Sequence, residues 1–100
     1  MRKKIVVIVK KAGEESGEIK LIENKLESFQ KIVGGYIETA QLTDEVVLIC
    51  DEEGRLKNKP YNMTINGFDF VGDIVLAGIK DGEFCDIPMA LELRAEGGEK

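Results

Sequence analysis

The chain has 100 residues, of which 43% are hydrophobic and 33% charged, and these proportions predict one globular domain. A formal net charge of −5 argues against direct nucleic-acid binding, and the lack of histidine removes the commonest general base and zinc ligand. No apolar run reaches the roughly 18 residues of a membrane helix, so we expect a cytoplasmic protein without membrane contact. We predict no metal and no cofactor.

Runs of β-branched residues predict two hairpins in the first half of the chain. Lys3–Lys10 is continuous and apolar, which is typical of a central strand covered on both faces. Glu18–Ile22 predicts a second strand that pairs with it. Tyr36–Leu42 and Val46–Cys50 predict two more strands, which we expect to form the second hairpin.

One short helix is predicted between these hairpins, over Lys25–Val33. Its apolar stripe consists of Leu26, Phe29, Ile32 and Val33. We expect Phe29 to face the sheet as the main anchor of the helix. Asn24 and Glu27 have the spacing of a capping box. The pair Gly34-Gly35 suits the left-handed residue that ends many helices.

The second half of the chain begins with a strong hairpin signal. Asn66-Gly67 lies between Met63–Ile65 and Phe68–Phe70, and this dipeptide favours a type I′ turn. Ile74–Ile79 predicts a further buried strand, and Glu83–Cys85 is expected to pair back with it.

A second short helix is predicted over Pro88–Ala95, followed by a fraying end at about residues 96–100. Together the elements predict an α+β fold. Its mostly antiparallel, curled sheet would consist of short hairpin-connected strands, with two short helices.

The two cysteines, Cys50 and Cys85, lie far apart in the sequence and have no metal-type spacing. We expect two reduced thiols that are not bonded to each other. Cys50 as a nucleophile would lack the histidine that usually activates one.

The segment Asp51–Asn62 predicts a long irregular connection, and such loops often carry function. We expect Glu52, Glu53, Arg55 and Lys57 to be exposed, and most of the loop to contribute little to folding. With the turn Gly34–Glu38 it could form a binding surface. The candidate binding residues are Gly35, Tyr36, Glu38, Asp51, Glu52, Glu53, Arg55, Lys57 and Asn62. The simpler interpretation is a helix stop followed by a solvated loop of mixed charge.

Several short segments resemble a known family. The segments GGYIE and CDEEGRL, followed by Pro60 and Asn62, are similar in their order to the domain-of-unknown-function family 3846. Members of that family are small proteins of bacteria, phages and other mobile elements. The resemblance implies one cytosolic domain of phage-related origin, and it implies no catalytic residue. The NGFDF hairpin departs from the family pattern.

Three classes of function remain open from the sequence. The first is a non-enzymatic binding or accessory protein of a phage or mobile element, monomeric or homodimeric, with a protein or small-molecule partner. The second is a small acidic inhibitor that mimics nucleic acid. The third is an enzyme using carboxylates, which would need Glu38, Asp51 and Lys57 in one pocket. If the charged loop does not bind, the NGFDF hairpin is the next candidate surface.

Overall fold

A computed structural model describes residues 3–88. The regular elements are, in chain order, β1 (Lys4–Lys10), β2 (Glu18–Glu23), α1 (Leu26–Val33), β3 (Ile37–Gln41), β4 (Val46–Asp51), β5 (Tyr61–Ile65), β6 (Phe68–Val71), β7 (Ile74–Lys80) and β8 (Glu83–Cys85).

The predicted α+β class is wrong, because the described residues form one two-turn helix and eight strands. The fold is therefore mainly β with antiparallel sheets. The second predicted helix and the fraying end lie outside the described residues from position 89 onward, and Pro88 itself belongs to no regular element. The mainly β fold follows from the many β-branched residues, whose side chains pack well on a pleated surface.

The main sheet has the strand order β2-β1-β7-β4-β3, and β8 pairs with the far end of β7. All of these pairs are antiparallel. The predicted hairpins β1–β2 and β3–β4 are confirmed, and so is the central position of β1, which has β2 on one side and β7 on the other. No helix among residues 3–88 is long and apolar enough to cross a membrane.

The helix packs on one face of this sheet. Phe29 is 1% exposed and its ring lies 4.9 Å from that of Phe84, so its predicted role as the anchor is confirmed. The core cluster on this face consists of Ile5, Val7, Val9, Phe29, Val33, Val47, Ile49, Val75 and Ala77. Because side chains alternate along a strand, Leu48 and Cys50 of β4 point to the opposite face.

The two ends of the helix differ in how well they were predicted. Gly34 ends it in the left-handed conformation, with φ of 82°, as expected. The predicted capping box is wrong: Lys25 occupies the N-cap without a side-chain hydrogen bond. The Asn24 amide instead donates to the Phe84 carbonyl at 3.1 Å, a contact distant in sequence that a local motif cannot reveal.

A separate two-stranded sheet consists of β5 and β6. The turn residues Asn66 and Gly67 both have positive φ, 53° and 83°, which confirms the predicted type I′ hairpin. Asn62 is buried and joins this hairpin to the main sheet. Its amide nitrogen donates to the carbonyls of Lys10 at 2.9 Å and Gly72 at 2.7 Å.

Candidate functional site

The segment that the sequence presents as an irregular loop is folded into consecutive turns. The N–H of Gly54 donates to the Asp51 carbonyl at 3.0 Å, and that of Lys57 to the Glu53 carbonyl at 3.0 Å. The Lys59 N–H donates to the Gly54 carbonyl at 3.0 Å. These bonds fix the backbone of the segment beside β4.

A buried carboxylate organises these turns. The side chain of Asp51 is 1% exposed and lies 2.8 Å from the Lys57 ammonium and 2.7 Å from that of Lys59. Its second oxygen accepts the Glu53 N–H at 2.9 Å. We call Asp51, Lys57 and Lys59 the helix-end ion cluster, because both lysines also bind the carboxyl end of α1.

The lysines of the helix-end ion cluster satisfy carbonyls that the helix leaves without partners. Lys59 donates to the Val33 carbonyl at 2.6 Å, and Lys57 to the Gly34 carbonyl at 3.1 Å. A positive charge at this end is favourable because the helix dipole is negative there. The cluster therefore fastens the end of α1 to the end of β4.

Gly35 allows this close approach. A Cβ at this position would lie 2.7 Å from an Asp51 oxygen and 2.7 Å from the Lys57 ammonium, closer than real Cβ contacts allow. The backbone of the glycine pair thus does approach a charged group closely, but the group belongs to the chain itself.

The electrostatics of the helix-end ion cluster follow from its contacts. Burial alone would raise the pKa of the Asp51 carboxyl, but hydrogen bonds from Lys57, Lys59 and the Glu53 N–H outweigh burial and hold that pKa well below its usual range. The hydrogen bond to Asp51 in turn raises the pKa of Lys57. Asp51 and Lys57 therefore stay charged at neutral pH.

A groove of about 650 Å³ lies on the other face of the sheet, between β3, β4 and the β5–β6 hairpin. Its apolar lining includes Ala40, Leu42, Leu56, Ile65, Phe68, Phe70 and Val71. Leu56 is 83% and Phe68 69% exposed, so large apolar side chains at the groove remain in water. Large contiguous exposed apolar patches are typical of interaction sites.

Charged residues surround this apolar lining. Glu38, Glu52 and Asp69 are acidic, and Arg55 is basic. Arg55 donates to the Asp69 carbonyl at 2.5 Å and so connects the turn segment to the hairpin. Asp51 also borders the groove, but the lysines of the helix-end ion cluster already pair its carboxylate. Without Asp51, the groove is bordered by three acidic side chains and one basic side chain, so its net charge is negative.

Cys50 lies in the groove as a free thiol, and Cys85 is free as well, as predicted. Burial raises the pKa of the Cys50 thiol, and the carboxylates of Glu38 and Asp51 raise it further, whereas Arg55 lowers it. The thiol is therefore protonated at neutral pH, which weakens it as a nucleophile.

The structure distributes the predicted site residues over three places. Those that border the groove are Glu38, Asp51, Glu52 and Arg55. A smaller pocket of about 260 Å³, to which Gln30 also contributes, contains Gly35, Tyr36, Glu53 and Lys57. Asn62 borders neither and holds the hairpin in place through its hydrogen bonds.

The charged loop side chains Glu52, Glu53, Arg55 and Lys57 are all exposed, as expected. The sequence predicts that most of the loop contributes little to folding, but Lys57 pairs with the buried carboxylate of Asp51 and so supports the fold.

The apolar lining of the groove is the part of the site that the predicted residues omit. Phe68 and Phe70 are two positions apart on β6, and both line the groove. The alternation of these two phenylalanines with Asp69 indicates an apolar face on β6. It lies in the NGFDF hairpin, which the sequence indicates as the candidate surface after the charged loop. Leu56 carried no signal, since one leucine in a charged loop is ordinary.

The chemistry of the site is limited by which groups come together. Glu38 and Asp51 border the groove, whereas Lys57 borders the smaller pocket and contacts only Asp51 of the two, at 2.8 Å, so neither of these two cavities is lined by all three groups of the carboxylate hypothesis. Within residues 3–88, no three His, Cys, Asp or Glu side chains are grouped so that they could hold a metal ion.

Comparison with known proteins identifies the family. The model of the domain of unknown function DUF3846 matches residues 1–96. The chain belongs to this family. No curated protein and no solved structure matches it. The family resemblance seen in the sequence is therefore confirmed over nearly the whole chain.

Proposed function

We propose that this DUF3846 protein is a small non-enzymatic binding protein of a phage or another mobile element, and that it works in the cytoplasm. Its groove would hold a segment of a partner protein. The observation that carries the proposal is the groove itself, where apolar side chains remain exposed beside an acidic border.

A protein segment suits the groove better than a small molecule does. A volume of about 650 Å³ could accommodate a small ligand, but Leu56 and Phe68 are too exposed to be covered by a ligand of that size. A chain lying along the groove would cover both side chains. Aromatic residues are also enriched where proteins meet.

The border of the groove indicates the charge of the partner. Glu38, Glu52 and Asp69 stand against Arg55 alone, and the whole chain carries a net charge of −5. Opposite charge speeds encounter and excludes acidic competitors. We therefore expect the partner segment to be basic as well as apolar.

Selection from a displayed random peptide library tests this proposal. The groove variant carries Leu56→Ser and Phe68→Ser. The matched control carries Leu21→Ser and Leu26→Ser, which remove two exposed leucines that do not line the groove. We expect the wild type and the control to enrich the same basic, apolar peptides, and the groove variant to bind them at least about tenfold more weakly.

Two results would contradict the proposal. One is a folded groove variant that binds the selected peptides as tightly as the control does. The other is a wild-type protein that enriches no peptide. Circular dichroism of each variant shows whether it is folded.

A further inference from the structure

We infer that the partner segment binds as an added β-strand along the free edge of β3, with a basic and a large apolar residue two positions apart. This inference rests on the proposed function and specifies how the groove is used. Three features of β3 carry it: its backbone groups, its composition and the side chains that it directs into the groove.

The first feature is a row of backbone groups that point away from the sheet. The Glu52 N–H donates to the Tyr36 carbonyl at 2.9 Å, and the Leu42 N–H to the Val46 carbonyl at 2.9 Å. Even-numbered residues of this region therefore direct their backbone groups toward β4. Because antiparallel pairs alternate, Ile37, Thr39 and Gln41 direct their N–H and C=O groups outward.

The second feature is that this edge lacks lysine, proline and a bulge, and its one charged residue is Glu38. Lysine, proline and bulges are among the devices that block natural edge strands. β3 contains neither lysine nor proline, and its register with β4 is regular from Ile37 to Gln41. The opposite edge of the sheet, β2, carries Lys20 between two glutamates. β3 is thus the edge that accepts another strand.

The third feature sets the specificity. Glu38 and Ala40 lie on the groove face of β3, and residues directly opposite each other on paired strands share a face. A partner residue opposite Glu38 is best basic. One opposite Ala40 has room for a large apolar side chain, since alanine fills little of the space there. The residue between them would lie on the other face, opposite the exposed Thr39.

The probe is a fluorescent peptide of about seven residues, a usual strand length, in which threonine alternates with lysine and leucine. A second version has glutamate in place of lysine. The protein variant Thr39→Pro removes one outward N–H and leaves the β3–β4 hydrogen bonds intact, a place where edge strands tolerate proline. Thr39→Val keeps the N–H and is the matched control.

Fluorescence anisotropy gives the affinities. We expect the wild type and Thr39→Val to bind the lysine peptide with Kd values within about twofold, and Thr39→Pro to bind at least about tenfold more weakly. The glutamate peptide should bind at least about tenfold more weakly than the lysine peptide. N-methylation of the peptide amides that face β3 should weaken binding in the same way, and this arm needs no change to the protein.

The outcomes separate the inference from the proposed function. If Thr39→Pro and the N-methylated peptide bind normally while the groove variant does not, the segment lies in the groove without strand pairing. The inference then fails and the proposed function stands. Equal binding of the glutamate peptide would overturn the predicted specificity. If the groove variant binds the lysine peptide normally, the proposed function fails as well.

Discussion

The helix-end ion cluster and the groove both use residues of the turn segment that follows β4, yet the two sites differ in which groups they leave without a partner. In the cluster, Asp51 accepts hydrogen bonds from two lysines and a backbone N–H, and the lysines complete the carboxyl end of α1. In the groove, Leu56 and Phe68 remain in water. Asp51 and Lys57, which the sequence offers as binding residues, thus pair with each other, and Lys57 also binds the end of α1. The apolar side chains of the groove have no such contacts and are available to a partner.

The largest effect is expected from removing the anchor of the helix. Phe29→Ala should lower the free energy of unfolding by about 3–5 kcal/mol, the usual range for a buried aromatic side chain. Phe29 packs against Phe84, and α1 carries the carbonyls that the helix-end ion cluster binds. Urea denaturation measures the change. A loss below about 1 kcal/mol would show that the helix does not depend on this contact.

Breaking the helix-end ion cluster should have the next largest effect. Asp51→Asn keeps the shape of the side chain and removes its charge, so two lysines lose their counter-ion. We expect a loss of about 2–3 kcal/mol, because hydrogen bonds to charged groups are among the stronger ones. Affinity for the selected peptides should change little. A large loss of affinity in a folded Asp51→Asn protein would place Asp51 in the binding site.

The pH dependence of stability provides an independent measure of the same cluster. The pKa of Asp51 is lowered by folding, so its contribution is present above the unfolded value of about 3.9 and is lost as the pH falls through the folded value. The difference in unfolding free energy between wild type and Asp51→Asn should stay constant between about pH 7 and pH 5, and shrink below about pH 4. A difference that vanishes near neutral pH would contradict the assigned shift.

A smaller effect is expected at the glycine that the cluster requires. Gly35→Ala should cost about 1–3 kcal/mol, the usual range for an overpacked position, because its Cβ would meet Asp51 and Lys57. Gly67→Ala provides a contrast: its Cβ would have no neighbour within 4 Å, so any cost there comes from its positive φ of 83°. In Gly35→Ala, the cost should fall when Asp51 is also replaced by alanine. Thermal denaturation of the wild type, Gly35→Ala, Asp51→Ala and the double variant measures this coupling.

The smallest effect on stability is expected at the groove. Leu56→Ser and Phe68→Ser each change a side chain that is mostly exposed, so each should alter the free energy of unfolding by no more than about 0.5 kcal/mol. The same variants should lose peptide binding. A loss of several kcal/mol would mean that these side chains belong to the fold rather than to a binding surface.

The local patterns of the sequence predict the strands well, because β-branched runs and Asn-Gly turns act over a few residues. They predict Phe29 and the Gly34 helix stop for the same reason. The capping box fails because Asn24 bonds to Phe84, 60 residues away. The candidate site shows the same division. No local pattern predicts that Asp51 is buried against two lysines or that Leu56 lies near Phe68, because both depend on how distant elements meet.

Chemical-shift mapping by ¹⁵N NMR tests the central claim most directly. The labelled wild-type protein is titrated with the lysine peptide. We predict that the amides of Ala40, Leu42, Cys50 and Phe68 shift, and that those of Gly35 and Lys57 do not. Shifts confined to Gly35, Tyr36, Glu53 and Lys57, which line the smaller pocket, would place binding at the helix end and contradict the account.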